Sequence, residues 1–285
     1  MSSAQTPLSQ NDEKALKALI AWWEDAGIEL DEPIVRPKKT EGSAPRPAQP
    51  SSRAAFVREK PAEPTRAATA HAATAAGFGK PAPEGPSAQD TVANVKTLEE
   101  LKQAIENFDG CALKRTARNM VFSRGNPDAK IMIVGEAPGR DEDEQGKPFV
   151  GRSGQLLDAM FKAIGLEEED LYISNIVNWR PPGNRNPTQE EVAICLPLIE
   201  RHIAIQNPDT LIVTGGVAAQ SLLRSTTGIT KLRGRWAEYL LKDEQGSETG
   251  IKVRTLPMFH PSYLLRRPAE KRHAWSDLLL LKTQQ

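Results

Sequence analysis

"KIMIVGEAPGRDEDEQGKPFVG", residues 130–151, decides how the rest of the chain is read. Its first five residues form a short apolar run with the composition of a buried strand, and the run empties into a tight Gly and Pro loop. Four acids and a Gln then crowd Arg140–Gln145, ahead of an apolar patch around Phe149. The passage is not a phosphate cradle. A P-loop requires Ser or Thr after its Gly-Lys pair, whereas Gly146 and Lys147 are followed by Pro148, and the acids would repel a triphosphate. No GxGxxG follows the strand, so a dinucleotide fingerprint is excluded as well.

Working outward, the strand pattern recurs at Leu171–Asn175, Thr210–Thr214 and 252–259, with amphipathic helical patterns at Leu98–Asn107, 154–164, Gln189–Gln206, 217–223 and 269–281. Short apolar strands alternating with such helices predict an α/β fold: a three-layer α/β/α arrangement around a central four-stranded, mainly parallel sheet. Ligands of such sheets sit at the carboxyl ends of the strands. Three chemically loaded stretches begin where strands stop: GEAPG after the first, NIVNWRPPGNR after the second and HPSYLLR after the fourth.

This folded domain is expected over 91–285. Residues 31–90 read as a disordered linker, because nearly half of the chain's 22 prolines fall there amid Ala, Ser and Thr, with too few apolar side chains to offset ordering entropy. Residues 1–30 predict one amphipathic helix carrying Leu16, Leu19, Ile20 and Trp23 on one face. It is too short to stand alone and must dock on the domain or on a repair or replication partner.

Lys plus Arg equals Asp plus Glu at 37 each, so any nucleic-acid site must come from local clustering. Two cysteines are too few for a secreted disulfide framework, and no apolar run approaches the roughly 18 residues of a membrane span. The N-terminus carries no export signal, and a cytoplasmic protein is expected.

Acids facing an anionic ligand make sense if the reaction builds positive charge. Cleavage of a glycosidic bond does so, through an oxocarbenium-like state that a carboxylate stabilises or attacks through an activated water. Phe149, following the acids, is placed to stack on a flat base. His260 stands at a strand end before Pro261, where its N–H could stabilise a departing anion. Leu264 and Leu265 are read either as wedges for a base stack or as core residues. Arg180, Arg185, Arg233, Arg235, Arg266, Arg267, Lys271 and Arg272 could together line a phosphate track. His71, His202 and His273 are read as structural.

Taken together, IMIVGEAPGRDEDEQGKPFVGRSGQLLDAMFKAIG, YISNIVNWRPPGNRNPTQEE, ITKLRGRW and MFHPSYLLRRP resemble the family 4 uracil-DNA glycosylases over nearly all of 111–281. The resemblance implies a monomeric, monofunctional enzyme that flips uracil out of DNA and hydrolyses its bond to deoxyribose, leaving an abasic site. It implies that Phe149 stacks on uracil, that Gly135 and Ala137 also bind the substrate, and that Asn175 pairs with N3–H and O4. His260 would contact O2. Glu142 would crowd the thymine methyl and organise water, with Glu136 and Asn184 beside it. Arg185, Arg233, Leu264, Leu265 and Arg266 would meet DNA.

The family's iron-sulfur cluster needs four cysteine thiolates. Here Phe108 stands in the first position of the CxxC pair and Trp179 in the third ligand position, so only Cys111 and Cys195 remain. No [4Fe-4S] cluster is therefore expected, but an aromatic plug with two neighbouring free thiols. The RPPGNRNPT loop holds no histidine, so turnover is expected rather than a covalent trap. Two further readings stay open: a non-catalytic DNA-binding or polymerase-associated module of the same fold, and a glycosylase for another deaminated base such as hypoxanthine.

Overall fold

The computed structural model describes residues 86–284. The helix expected within 1–30, His71 and almost all of the expected linker lie outside the described residues. The first described helix nevertheless starts inside the expected linker: Ser87 caps it, and Ala88 is already buried.

In chain order the elements are α1 (Ala88–Val92), α2 (Leu98–Asn107), β1 (Arg124–Gly125), β2 (Ile131–Gly135), α3 (Arg140–Gln145), α4 (Arg152–Lys162), β3 (Leu171–Asn175) and α5 (Gln189–Gln206). There follow β4 (Thr210–Thr214), α6 (Gly216–Leu222), α7 (Ile229–Leu232), β5 (Ala237–Lys242), β6 (Glu248–Met258), α8 (Pro261–Arg266) and α9 (Lys271–Lys282). Reciprocal capping boxes start three of the helices, from Ser87 to Asp90, Thr97 to Glu100 and Thr188 to Glu191. Each satisfies helix-end N–H groups that would otherwise lack partners.

The strands form one sheet in the order β1-β3-β2-β4-β6-β5. Its four inner strands are the expected ones and run parallel. The sheet has six strands rather than four, because β1 and β5 add antiparallel edges. β1 is two residues long and carries no periodicity to find. β5 pairs with β6 from Glu248 to Thr255, which is why β6 begins at Glu248, ahead of the expected start at 252.

Every residue of β2 and β3 is buried. Alternate side chains point to opposite faces, so each strand feeds two cores. Met132, Val134, Tyr172 and Leu211 join Leu101, Ile105, Leu198 and Ile203 of α2 and α5 on one face. Ile133, Ile173, Ile212 and Leu256 join Leu157, Phe161, Leu278 and Leu281 of α4 and α9 on the other. Among the described residues no helix is long and apolar enough to cross a membrane.

His202 is a core residue, as expected. Its ring stacks on Phe122 with centroids 4.4 Å apart, and its Nε2 lies 2.8 Å from the Tyr172 hydroxyl. That hydroxyl donates to Ser123, so Nε2 carries the proton and the buried Nδ1 keeps a lone pair without a partner. Burial holds this imidazole at about 3, far below its ordinary value. A depressed folded-state value makes the contribution complete above about pH 6.5 and progressively lost as pH falls towards the folded value. Urea unfolding of wild type and His202→Phe at pH 7, 5.5 and 4.5 should therefore show wild type losing about 1.4 kcal/mol per pH unit relative to the variant below pH 6. Parallel pH dependences would contradict a neutral buried ring.

Candidate active site

The four parallel strands all end at one cleft of about 750 Å³. β2 delivers Glu136 and Ala137, β3 delivers Asn175, β4 runs into Gly215, and β6 runs into Phe259 and His260. The backbone keeps these ends in contact: Ile176 N–H donates to Gly135 and Gly215 N–H donates to Met258. The strand-end convergence seen in the sequence is thus the geometry of the site.

The acidic run is a helix, α3, and not the solvated turn that such a run could have formed. Glu142 and Asp143 point inward and are buried. One Glu142 oxygen accepts from Gly139 N–H at 3.1 Å; the other accepts from Val150 and Gly151 N–H at 3.0 and 2.9 Å. Both oxygens are thereby committed to backbone, and the carboxylate ties the start of α3 to the loop that carries Phe149. Asp143 performs the same task on its other side, accepting from Arg118 and Asn119 N–H at 2.8 and 3.1 Å. The sequence offered no residue-level signal for Asp143, which became visible only once α3 placed it.

Phe149 has φ 53°, a left-handed conformation that costs a bulky residue roughly 1–3 kcal/mol. The Glu142 bonds to the next two amides hold it there. Its ring lies beside His260, with centroids 5.6 Å apart. Gly135 makes room for it: a Cβ at this position would fall 2.4 Å from Asn175 Oδ1 and 2.6 Å from the Phe149 ring. Gly154 is equally constrained, since a Cβ there would meet the Phe149 carbonyl oxygen.

Asn175 is buried, and its Oδ1 is a buried acceptor without a hydrogen-bond partner in the described structure. An unpaired buried acceptor costs about 1–3 kcal/mol, so a ligand that donates to it recovers that penalty. His260 caps α8: its Nδ1 accepts from Ser262 N–H at 3.1 Å and lies 2.8 Å from the Ser262 hydroxyl. With Nδ1 as acceptor, the neutral ring carries its proton on Nε2. Burial first, and then the Arg266 charge, push this imidazole down to about 4, which keeps it neutral at physiological pH.

Glu136 is half-buried on the cleft wall, and burial raises its carboxyl above the ordinary value while Arg266 opposes the shift. Asn184 lies on the opposite, exposed loop, where its Oδ1 accepts from Arg180 Nε at 2.6 Å. Arg180 also stands 3.8 Å from Asp143, which links this loop to α3.

The predicted DNA contacts divide. Arg180, Arg185 and Arg266 border the cleft, together with Arg140 and Arg152, which the sequence reading had not singled out. Arg185 also forms a two-point pair with Glu191. Several of these expectations are corrected. Arg233 turns inward, paired with Asp277 and lying over the Phe259 ring at 5.4 Å. Leu264 is fully buried, because the HPSYLLR stretch is helical and turns it into the core, while Leu265 is only partly covered. Lys271 is buried too, and neither Arg235, Arg267 nor Arg272 borders the cleft.

Behind the cleft, Phe108 and Trp179 pack with ring centroids 6.4 Å apart. Cys111 and Cys195 are free, buried and hydrogen-bonded thiol to thiol; the hydrogen bond from Cys195 lowers Cys111, and that hydrogen bond and burial raise Cys195. A cubane cluster requires four thiolates. Two thiols walled by two packed aromatic rings do not fit one, and no set of three or more metal-ligating side chains occurs elsewhere among the described residues.

The fold and this cleft define a class. Residues 122–279 match the family model described as the Uracil DNA glycosylase superfamily. The chain is 39% identical to a type-4 uracil-DNA glycosylase of Pyrobaculum aerophilum, over 64% of this chain and 92% of that protein. Against the type-4 enzymes of Thermotoga maritima and Archaeoglobus fulgidus the identities are 40% and 37%, covering 59% and 64% of this chain and 83% and 90% of theirs. The chain belongs to the type-4 uracil-DNA glycosylase family.

Two substitutions test the clamp and the floor. Glu142→Ala leaves buried amides unpaired and should destabilise the fold by at least about 2 kcal/mol, read by thermal unfolding. Gly135→Ala should fold but lose the pocket, seen as displaced Phe149 and Asn175 in a crystal structure; an unchanged pocket would contradict the close packing described.

Proposed function

We propose that this protein excises uracil from DNA by hydrolysis of the N-glycosidic bond, leaving an abasic site for base-excision repair. The observation that carries the reading is the buried Asn175 acceptor without a partner, set between the Phe149 ring and the end of β2. Uracil N3–H supplies the donor that this oxygen lacks, and the Asn175 amide N–H donates to uracil O4. Cytosine presents an acceptor at N3 and an amine at C4, so it mismatches both contacts.

The roles follow from what each side chain is free to do. Phe149 stacks on the flipped base. His260 offers Nε2–H to uracil O2 and stabilises the departing anion, which needs a neutral donor rather than a titrating acid. Glu136, whose carboxylate is not committed to backbone amides as that of Glu142 is, lines the cleft; it supports the oxocarbenium-like state and orients the water. Glu142 acts as a positioning residue for the Phe149 loop. Asn184, held by Arg180, completes the polar wall. Arg140, Arg152, Arg180, Arg185 and Arg266 supply phosphate contacts around the rim.

Flipping exposes the target atom that a duplex hides. Leu265 and Arg266, at the exposed end of α8, are the residues placed to enter the space that the base vacates. We assign no step to a metal cluster, since the residues at its family position do not fit one. The domain would act as a monomer in the cytoplasm, and a repair or replication partner would engage the chain ahead of residue 86.

The test is alkali-labile scission of an oligonucleotide carrying one uracil. Wild type should cleave it and spare the cytosine and thymine controls. His260→Ala should slow excision by roughly 10²–10³-fold, the scale of removing one donor to a developing anion. Asn175→Asp should weaken the preference for uracil over cytosine. Wild-type rates in both variants would overturn these assignments, and intact DNA with wild type would favour a binding module.

A further inference from the structure

Arg233 was expected at the DNA backbone, yet its guanidinium is committed elsewhere. Nε donates to Asp277 at 2.9 Å, and Nη2 donates both to Asp277 and to the His273 carbonyl at 2.7 Å. Asp277 is 1% exposed and sits in the middle of α9, outside the motifs that line the cleft. Burial pushes its carboxyl up to about 6, still charged at neutral pH beside the guanidinium.

This pair fastens a strap. Residues 228–236 run from the cleft edge, where Ile229 and Thr230 form part of the wall, to the start of β5. Arg233 N–H closes α7 onto Ile229, and Gly234 N–H donates to Pro257 of β6. Gly234 has φ 66°, and a Cβ there would come within 2.5 Å of the Asp277 carboxylate. The guanidinium lies over Phe259, which packs on Tyr263 at 4.9 Å between centroids and precedes His260 directly. The ion pair therefore fixes, at once, the Ile229–Thr230 wall and the aromatic support behind the imidazole.

We propose that Asp277 is a positioning residue for base excision, acting through Arg233 to hold the cleft wall and the backing of His260, and that Arg233 makes no phosphate contact. The proposal rests on the uracil-excision reading. A displacement of about 1 Å in a reacting group costs on the order of 10²-fold in rate, so the loss should appear in turnover rather than in DNA affinity.

A double variant, Arg233→Met with Asp277→Leu, removes both charges together and leaves no uncompensated ion in the core. Its kcat and KM on a uracil oligonucleotide are compared with those of wild type and Asp277→Asn. Binding of all three to uracil-free duplex is measured across a salt series. The expected result is a kcat at least about tenfold lower in both variants, with KM within about twofold and an unchanged salt slope. A lost phosphate contact would instead lower the slope by about 0.9 in the double variant and leave Asp277→Asn turning over normally. A reduced slope, or wild-type kcat in the double variant, overturns the proposal while leaving uracil excision standing. Wild type that fails to cleave uracil DNA overturns the functional reading, and this inference with it.

Discussion

Three backbone N–H groups converge on the Glu142 carboxylate, and the cleft depends on that convergence. Hydrogen bonds to a charged acceptor are stronger than neutral ones, at about 1.5–3 kcal/mol each. Together they are of the size needed to hold Phe149 in a left-handed backbone conformation that a bulky side chain avoids. Once Phe149 is placed, Gly135 and Gly154 have no freedom to be anything larger, and Asn175 is walled in with an acceptor that no protein donor satisfies. Two of the acids of Arg140–Gln145, Glu142 and Asp143, answer a structural demand first. Buried carboxylates satisfy loop amides that would otherwise be orphaned.

The same logic runs through the neighbouring loops. Asp143 ties residues 118 and 119 to α3, and Arg180 joins Asp143 to Asn184 across the cleft mouth. Phe108 and Trp179 fill the space behind. Carboxylate-to-amide bonds and aromatic packing thus join these loops. Neutral His260 fits this preorganised setting, because its tautomer is imposed by Ser262 and its charge is suppressed by burial.

Much of this was legible in the sequence. Three of the strands and two of the long helices stand within a residue of their expected bounds, since period-two and period-3.6 apolar patterns dominate where both sheet faces are covered. Of the site residues, Phe149 was found because it follows the acidic run and His260 because it stands at a strand end, whereas Glu136 and Asn175 came from the family resemblance. What escaped notice had a local pattern that tertiary contacts override. β5 is an edge strand whose order comes from pairing with β6, and α3 is too short and too acidic to announce itself as a helix. HPSYLLR reads as loop, yet His260 caps a helix there and Leu264 turns into the core. Arg233 looked like surface charge because its partner, Asp277, lies 44 residues away.

The account stands on Asn175 as the reader of the base in a pocket formed before DNA arrives. Its side-chain amide can be followed by nitrogen-edited NMR while free uracil, and then free cytosine, is added to the protein. The account predicts that the Asn175 amide and the His260 ring N–H shift in proportion to bound uracil and stay unmoved by cytosine at the same concentration. Equal shifts with both bases, or none with uracil, would contradict it.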